Sequence, residues 1–292
     1  MASRGCPYQC TFCSNPSMWT TRWIARDPDL LLDEMQLYQR KYNIENFDFY
    51  DLTAIVKKSW IIDFCKKIEE RKMKFTWQLP SGTRSEAIDN EVAALLYKSG
   101  CRNMSYSPES GSIGVLERIK KKISLDSVIK SINASFMNNM NIKTNIIFGF
   151  PEETLKEIFE SYIFIIRMAL AGAYDISIWA FSPYPGSELF NQISANRKLK
   201  LDDAYYDSLR SYADPSKTVS YSIHISNRLL KILRFIGTVL FYLTSWSRRP
   251  NRPFQIIWNL MNNKQESRAE LGLYNLLRHN KLVKILCRRE NY

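Results

Sequence analysis

Ile142-Lys143-Thr144-Asn145-Ile146-Ile147-Phe148-Gly149-Phe150-Pro151-Glu152-Glu153-Thr154 reads as a strand turning into a helix. Ile142 to Phe148 is rich in residues that favour strands. Pro151 stands early in the next element, with acids where a helix macrodipole is positive. The helical pattern then runs over 153–171 and stops at Gly172, and a second strand follows at Ile176 to Phe181. This is one β-α-β unit. Upstream, strands are expected at Phe47–Tyr50, Phe75–Leu79 and Arg102–Tyr106, with helices over 28–42, 57–72, 86–98 and 125–140, and Gly100 at a helix stop. Such alternation with short connections predicts a parallel sheet, open or closed into a barrel. In both architectures active groups gather at the C-terminal strand ends. That rim would hold Asp51, Pro80-Ser81-Gly82, Ser107 to Gly111, Gly149-Phe150-Pro151 and Ser182 to Gly186.

The chain has 292 residues, 45% apolar and 24% charged, which excludes disordered, collagen-like and disulfide-scaffold classes. No signal peptide is read at the start and no run of eighteen uncharged apolar residues occurs, so the chain is expected to be cytoplasmic with reduced cysteines. Arg228 to Tyr292 carries +10 of the formal net +12, leaving +2 for the first 227 residues. Two regions are therefore expected, 1–197 as an α/β core and 198–292 as a basic, partly amphipathic helical region. Within 229–246, Lys231, Arg234, Thr238 and Ser245 interrupt an apolar segment at spacings that put them on one helical face. Arg248, Arg249 and Arg252 follow, then Phe254 to Met261 is apolar again. One reading is an appendage packed on the barrel with its basic face solvated. Another is an interfacial helix on anionic lipid, peripheral at the inner face of the membrane. Nucleic acid ranks third, since no RNA-binding module accompanies the charge.

Cys6, Cys10 and Cys13 lie in Ser3-Arg4-Gly5-Cys6-Pro7-Tyr8-Gln9-Cys10-Thr11-Phe12-Cys13-Ser14, a C-x3-C-x2-C run. Three thiols within eight residues can converge on one metal centre. Structural zinc would bring a fourth Cys or His at a second paired spacing. Cys65, Cys101 and Cys287 stand alone, as do His224 and His279. Three ligands without a fourth imply an open coordination position and a reactive centre; the bland alternative is three unrelated thiols or zinc with a distant ligand. Cys65 and Cys101 read as core fillers and Cys287 as a thiol without a role. Tyr106 and Tyr184 are expected at the rim.

This run, with aromatic Phe12 before its last cysteine, resembles the radical S-adenosylmethionine (radical SAM) superfamily. Further stretches, Pro80 to Glu86, Pro108 to Ser112, Ile147 to Pro151 and Tyr184 to Ser187, resemble the subgroup that often carries a cobalamin-binding domain ahead of the barrel. The resemblance covers roughly residues 1–195. It implies a parallel (β/α)6 TIM-like barrel, here partial and lacking its first strand, with a C-terminal α-helical appendage. It implies that Cys6, Cys10 and Cys13 hold a [4Fe–4S] cluster, whose electron cleaves S-adenosylmethionine to a 5′-deoxyadenosyl radical. The backbone around Phe12 would meet the adenine and Glu109 the ribose or methionine end, with Asp51, Arg84 and Gly149 in the same pocket. For the carboxylates and Arg84 the competing reading is strand-end capping and rim salt bridges. The implied reaction is methylation or rearrangement of an unactivated carbon on a hydrophobic small molecule or lipid, with a reductase, flavodoxin or ferredoxin as electron donor. RNA modification by methyl or methylthio transfer and a truncated, non-catalytic remnant are the alternatives. Only five residues precede Cys6, so a truncated or misplaced start is expected and cobalamin could come only in trans.

Overall fold

The computed structural model describes residues 1–262 apart from Thr20, Ser85, Glu86, Lys198, Ala213 and Asp214, together with Glu270, Leu273 and Tyr274. His279 and Cys287 lie outside the described residues. Two short strands, β1 (Ser3–Arg4) and β2 (Ile24–Ala25), pair antiparallel around the cysteine loop and α1 (Asn15–Met18). The main sheet is parallel throughout, in the order β3 (Asn46–Asp48), β4 (Thr76–Thr83), β5 (Cys101–Glu109), β6 (Asn141–Phe148), β7 (Asp175–Ala180). Each strand thus neighbours its successor in sequence, as a partly closed (β/α) barrel requires. Between the strands run α3 (Lys58–Glu70), α4 (Asn90–Lys98), α5 (Ile113–Arg118), α6 (Leu125–Met137) and α7 (Leu155–Ala171). With α2 (Pro28–Tyr42) before them and α8 (Glu188–Arg197), the short α9 (Asp203–Ser208) and α10 (Asn227–Arg248) after, successive helices pack side by side in an arc, α2 on α3, α3 on α4, α4 on α6, α6 on α7 and α7 on α10.

Local chemistry sets the helix ends. The Asp27 side chain caps α2, accepting from the N–H groups of Asp29 at 2.9 Å and Leu30 at 3.2 Å. At α7 a capping box, Thr154 with Glu157, moves the start two residues past the expected 153. Glu153 is absorbed by the preceding turn, where its carboxylate accepts from the N–H groups of Gly149 (2.6 Å) and Phe150 (3.3 Å). Gly172 ends the helix at φ +119°.

The two sheet faces differ. Trp77, Leu79, Met104, Ile142, Ile146 and Phe148 are buried in the core shared with the helices. Tyr106 belongs to this face and not to the rim: its hydroxyl lies 2.9 Å from Ser131 Oγ and 3.0 Å from Ser135 Oγ, on α6. Residues of opposite parity form a polar network instead. Gln78 Nε2 donates to Asp48 at 2.7 Å, Asn103 Nδ2 to Gln78 Oε1 at 3.1 Å, and Asn145 Nδ2 to Ser105 and Ser107 Oγ at 2.8 and 3.1 Å. A cavity of about 250 Å³ opens here, lined among others by Gln78, Asn103, Ser105, Asn141, Lys143 and Asp175.

α10 packs on α7 and β7, but its polar residues correct the expected solvated basic face. Arg234 is buried and donates to Ile178 O at 2.9 Å, Thr218 Oγ1 at 2.8 Å and Ser211 O at 3.4 Å. β7 ends the sheet, so its outward carbonyl needs a donor, and Arg234 provides it. Ser245 is buried too, while Lys231 remains exposed.

Candidate metal and cofactor site

The cysteine loop lies across the C-terminal rim, fastened at several points. Thr11 N–H donates to Ile119 O at 3.0 Å, beyond the end of α5, and Thr11 O accepts from Leu189 N–H at 2.9 Å, in α8 (Glu188–Arg197). Ser14 Oγ donates to Pro185 O at 2.8 Å. Phe12 leans on Phe150 at the end of β6 (ring centroids 5.9 Å), and Phe150 on Phe181 at the end of β7 (5.2 Å). These rings belong to a small second core with Val115, Leu116 and Tyr221. The loop is therefore held by apolar packing as well as by its backbone.

Cys6, Cys10 and Cys13 are all half-buried free thiols on this loop. Asn15 N–H points at Cys13 Sγ (3.4 Å), while Asn15 Nδ2 donates to Cys6 O at 3.2 Å, so one residue braces both ends. Burial pushes the Cys10 thiol up, opposed by the charge of Lys121. Burial likewise raises Cys13, opposed by the Asn15 N–H. Among the described residues no three His, Cys, Asp or Glu side chains converge as ligands of a single ion would. Three soft donors with a nearby cation and an N–H aimed at sulfur suit a polynuclear iron–sulfur cluster, which binds through thiolates and is tuned by such hydrogen bonds.

The other predicted residues take distinct places. Glu109 ends β5 after a register shift in the β5–β6 ladder and sits at φ +70°. An irregular ladder and a left-handed backbone at a non-glycine residue re-aim this side chain. It is buried and forms an ion pair with Lys121 at 3.0 Å. Burial pushes the Glu109 carboxyl up and the Lys121 charge resists; on Lys121, burial is outweighed only by the negative charges of Glu109 and Cys10 and the hydrogen bond to Glu109 acting together, so the amine stays protonated. Lys121 Nζ is also 6.0 Å from the Phe12 ring centroid. Lys121 escapes sequence reading because it is the middle of Lys120-Lys121-Lys122, which looks like a solvated run. Arg84 stacks on Tyr8 of the cysteine loop, 3.8 Å from its centroid, and donates to Lys122 O. Gly149 adopts φ +88° with its N–H held by Glu153.

Asp51 lies at the first rim position, but its carboxylate faces the lead-in strand. It accepts from Ala2 N–H at 3.1 Å, Ser3 Oγ at 2.7 Å and the Ser3 N–H. Glu109, Lys121, Cys10 and Phe12 are thus drawn together, with Arg84 reaching the same loop and Asp51 anchoring its root. Cys65 and Cys101 are buried in the core, far from this chemistry in role, and His224 is exposed.

A sequence profile of the Radical SAM superfamily matches residues 2–165. The chain belongs to the radical SAM superfamily. Membership implies a [4Fe–4S] cluster and S-adenosylmethionine as cofactors, and the three thiols fit the cluster. The chain is 27% identical over 246 residues to the uncharacterized methyltransferase PH0819 of Pyrococcus horikoshii, covering 83% of this chain and 50% of that protein. Its fold is similar to the radical SAM methyltransferase TsrM from Kitasatospora setae, solved with cobalamin and a [4Fe–4S] cluster (TM-score 0.59, 16% identity, 67% of this chain and 36% of that one). It is also similar to the cobalamin-dependent radical SAM enzyme OxsB, solved with aqua-cobalamin and S-adenosylmethionine (TM-score 0.58, 13% identity, 95% and 49%). The chain spans half or less of the length of each of these three proteins.

Proposed function

We propose that residues 1–197 form the radical-generating barrel of a methyltransferase that acts on an unactivated carbon of a small molecule, with cobalamin as methyl carrier. The observation that carries this reading is the braced loop of Cys6, Cys10 and Cys13 over the rim of a parallel sheet, with Glu109 and Lys121 behind it. Methyltransferase names among similar proteins support the reaction class. When bound, cluster and S-adenosylmethionine supply one-electron cleavage of the sulfonium and a 5′-deoxyadenosyl radical.

The protein's own part is to bind, orient and exclude water. Asp51 fixes the strand leading into the loop, and Asn15 keeps Cys6 and Cys13 in register. Lys121 offsets the negative charge that gathers on the thiolates, and Glu109 holds Lys121 in place. Gln78, Asn103, Ser105 and Lys143 line the cavity on the inner sheet face with hydrogen-bonding groups, suited to the polar end of a substrate. The lipid-like part of the reading draws its support from the exposed apolar helices beyond the barrel, so the substrate class that fits both is an amphiphile.

Anaerobically reconstituted protein with a reductant and S-adenosylmethionine tests the proposal. We expect 5′-deoxyadenosine in every mixture and S-adenosylhomocysteine only when cobalamin is added. Deoxyadenosine without S-adenosylhomocysteine under any condition would overturn methyl transfer and leave rearrangement.

A further inference from the structure

α10 and α11 (Asn251–Met261) bury apolar side chains on the protein and also carry large apolar side chains on the side facing away from it. Several of their polar residues, Arg234, Ser245, Arg252 and Asn259, are buried against the protein. Besides Arg234, Arg252 is buried and donates to Ala173 O (2.6 Å), Ser245 Oγ (2.6 Å) and Gly172 O (2.9 Å). Asn259 is buried and donates to Glu270 at 2.9 Å. The outward faces are apolar: Ile232, Phe235, Val239 and Leu243 on α10, then Phe254, Trp258 and Met261 on α11. Phe235, Phe254 and Met261 are 70%, 70% and 71% exposed. Large apolar side chains exposed along two successive helices, among the described residues, mark an interaction site.

The charge pattern identifies what covers it. From Pro215 to Gln265 there is no Asp or Glu, while Lys and Arg recur on both sides of the uncharged stretch Phe235 to Ser247. Arg228, Lys231 and Arg248, near the two ends of α10, are exposed. A second copy of the chain would bring the same positive charge to the same face. A surface that is apolar in depth and anionic at its boundary complements both features. We propose that α10 and α11 lie on an anionic phospholipid bilayer, with their outward side chains in the acyl boundary and Arg228, Lys231 and Arg248 at the phosphates. By length and composition α10 could cross a membrane. Arg234 ties its middle to β7, and Tyr162 Oη donates to Leu233 O at 2.8 Å, so the helix stays on the barrel and rests on the bilayer. This attachment is independent of the radical chemistry.

Flotation of the whole chain with vesicles tests it, using phosphatidylcholine alone or mixed with phosphatidylglycerol. The protein is expected to float with the anionic vesicles and to stay at the bottom with the neutral ones. Phe235→Ser with Trp258→Ser removes exposed side chains only, so melting should be unchanged while binding falls at least tenfold. Arg228→Glu with Lys231→Glu and Arg248→Glu should weaken binding by about a hundredfold or more, at ~1 kcal/mol for each basic residue lost at the surface. Failure to float with either lipid overturns the proposal. So does flotation unaffected by both sets of variants, or a dimer in solution that dissociates with Trp258→Ser.

Discussion

Glu153 is fully buried in the turn after β6, with one carboxylate oxygen occupied by two backbone N–H groups and the other without a hydrogen-bond partner. Burial outweighs those two donors and pushes its pKa to about 8. The folded chain therefore keeps a proton that the unfolded chain releases near the ordinary value of 4.5. Stability is fully present below that value and declines as pH rises towards 8, by up to a few kcal/mol. Glu153→Gln keeps an acceptor for Gly149 and Phe150 and cannot ionise. Urea unfolding of both proteins should agree near pH 5, with the variant more stable at pH 8.5; parallel curves would refute the assignment. In sequence Glu153 looked like a helix-start acid, because the capping box that excludes it from α7 depends on Thr154 and Glu157 closing on each other. Lys121 and Glu109 show the same limit: the three cysteines can be read from spacing, but a buried pair needs the register shift that turns Glu109 inward.

At the scale of elements, all five main strands and the longer helices between them were legible, because composition and stop signals agree with the final fold; the six-residue α5 (Ile113–Arg118) was not, being too short to show a period. The facing of α10 was not. Spacing correctly grouped Arg234 and Ser245 on one side, but did not give which side faces the protein, since that depends on the outward carbonyl at the last strand of the sheet, β7. Arg234→Met tests that account. It would leave Ile178 O and Ser211 O without their buried donor, and we expect a loss of about 2–4 kcal/mol in urea unfolding. Arg234→Lys should recover only part, because an ammonium cannot reproduce the three-way fork. A cost below about 0.5 kcal/mol, the level of an ordinary surface change, would mean the edge is satisfied otherwise.

For the whole molecule, a five-stranded parallel sheet with a core on its helical face and amides on the other separates stability from function. The rim cluster around Phe12, Phe150 and Phe181 then fixes the cysteine loop over the open end. The acid-free helices beyond add a second surface with its own chemistry. The central claim is that Cys6, Cys10 and Cys13 hold a redox-active cluster. The direct measurement is iron and sulfide analysis after anaerobic reconstitution, with EPR of the reduced protein before and after adding S-adenosylmethionine. The account predicts about four irons per chain, a [4Fe–4S] signal that shifts with S-adenosylmethionine, and loss of both in a Cys10→Ala variant. Bound zinc without iron, or a cluster that survives that substitution unchanged, would contradict it.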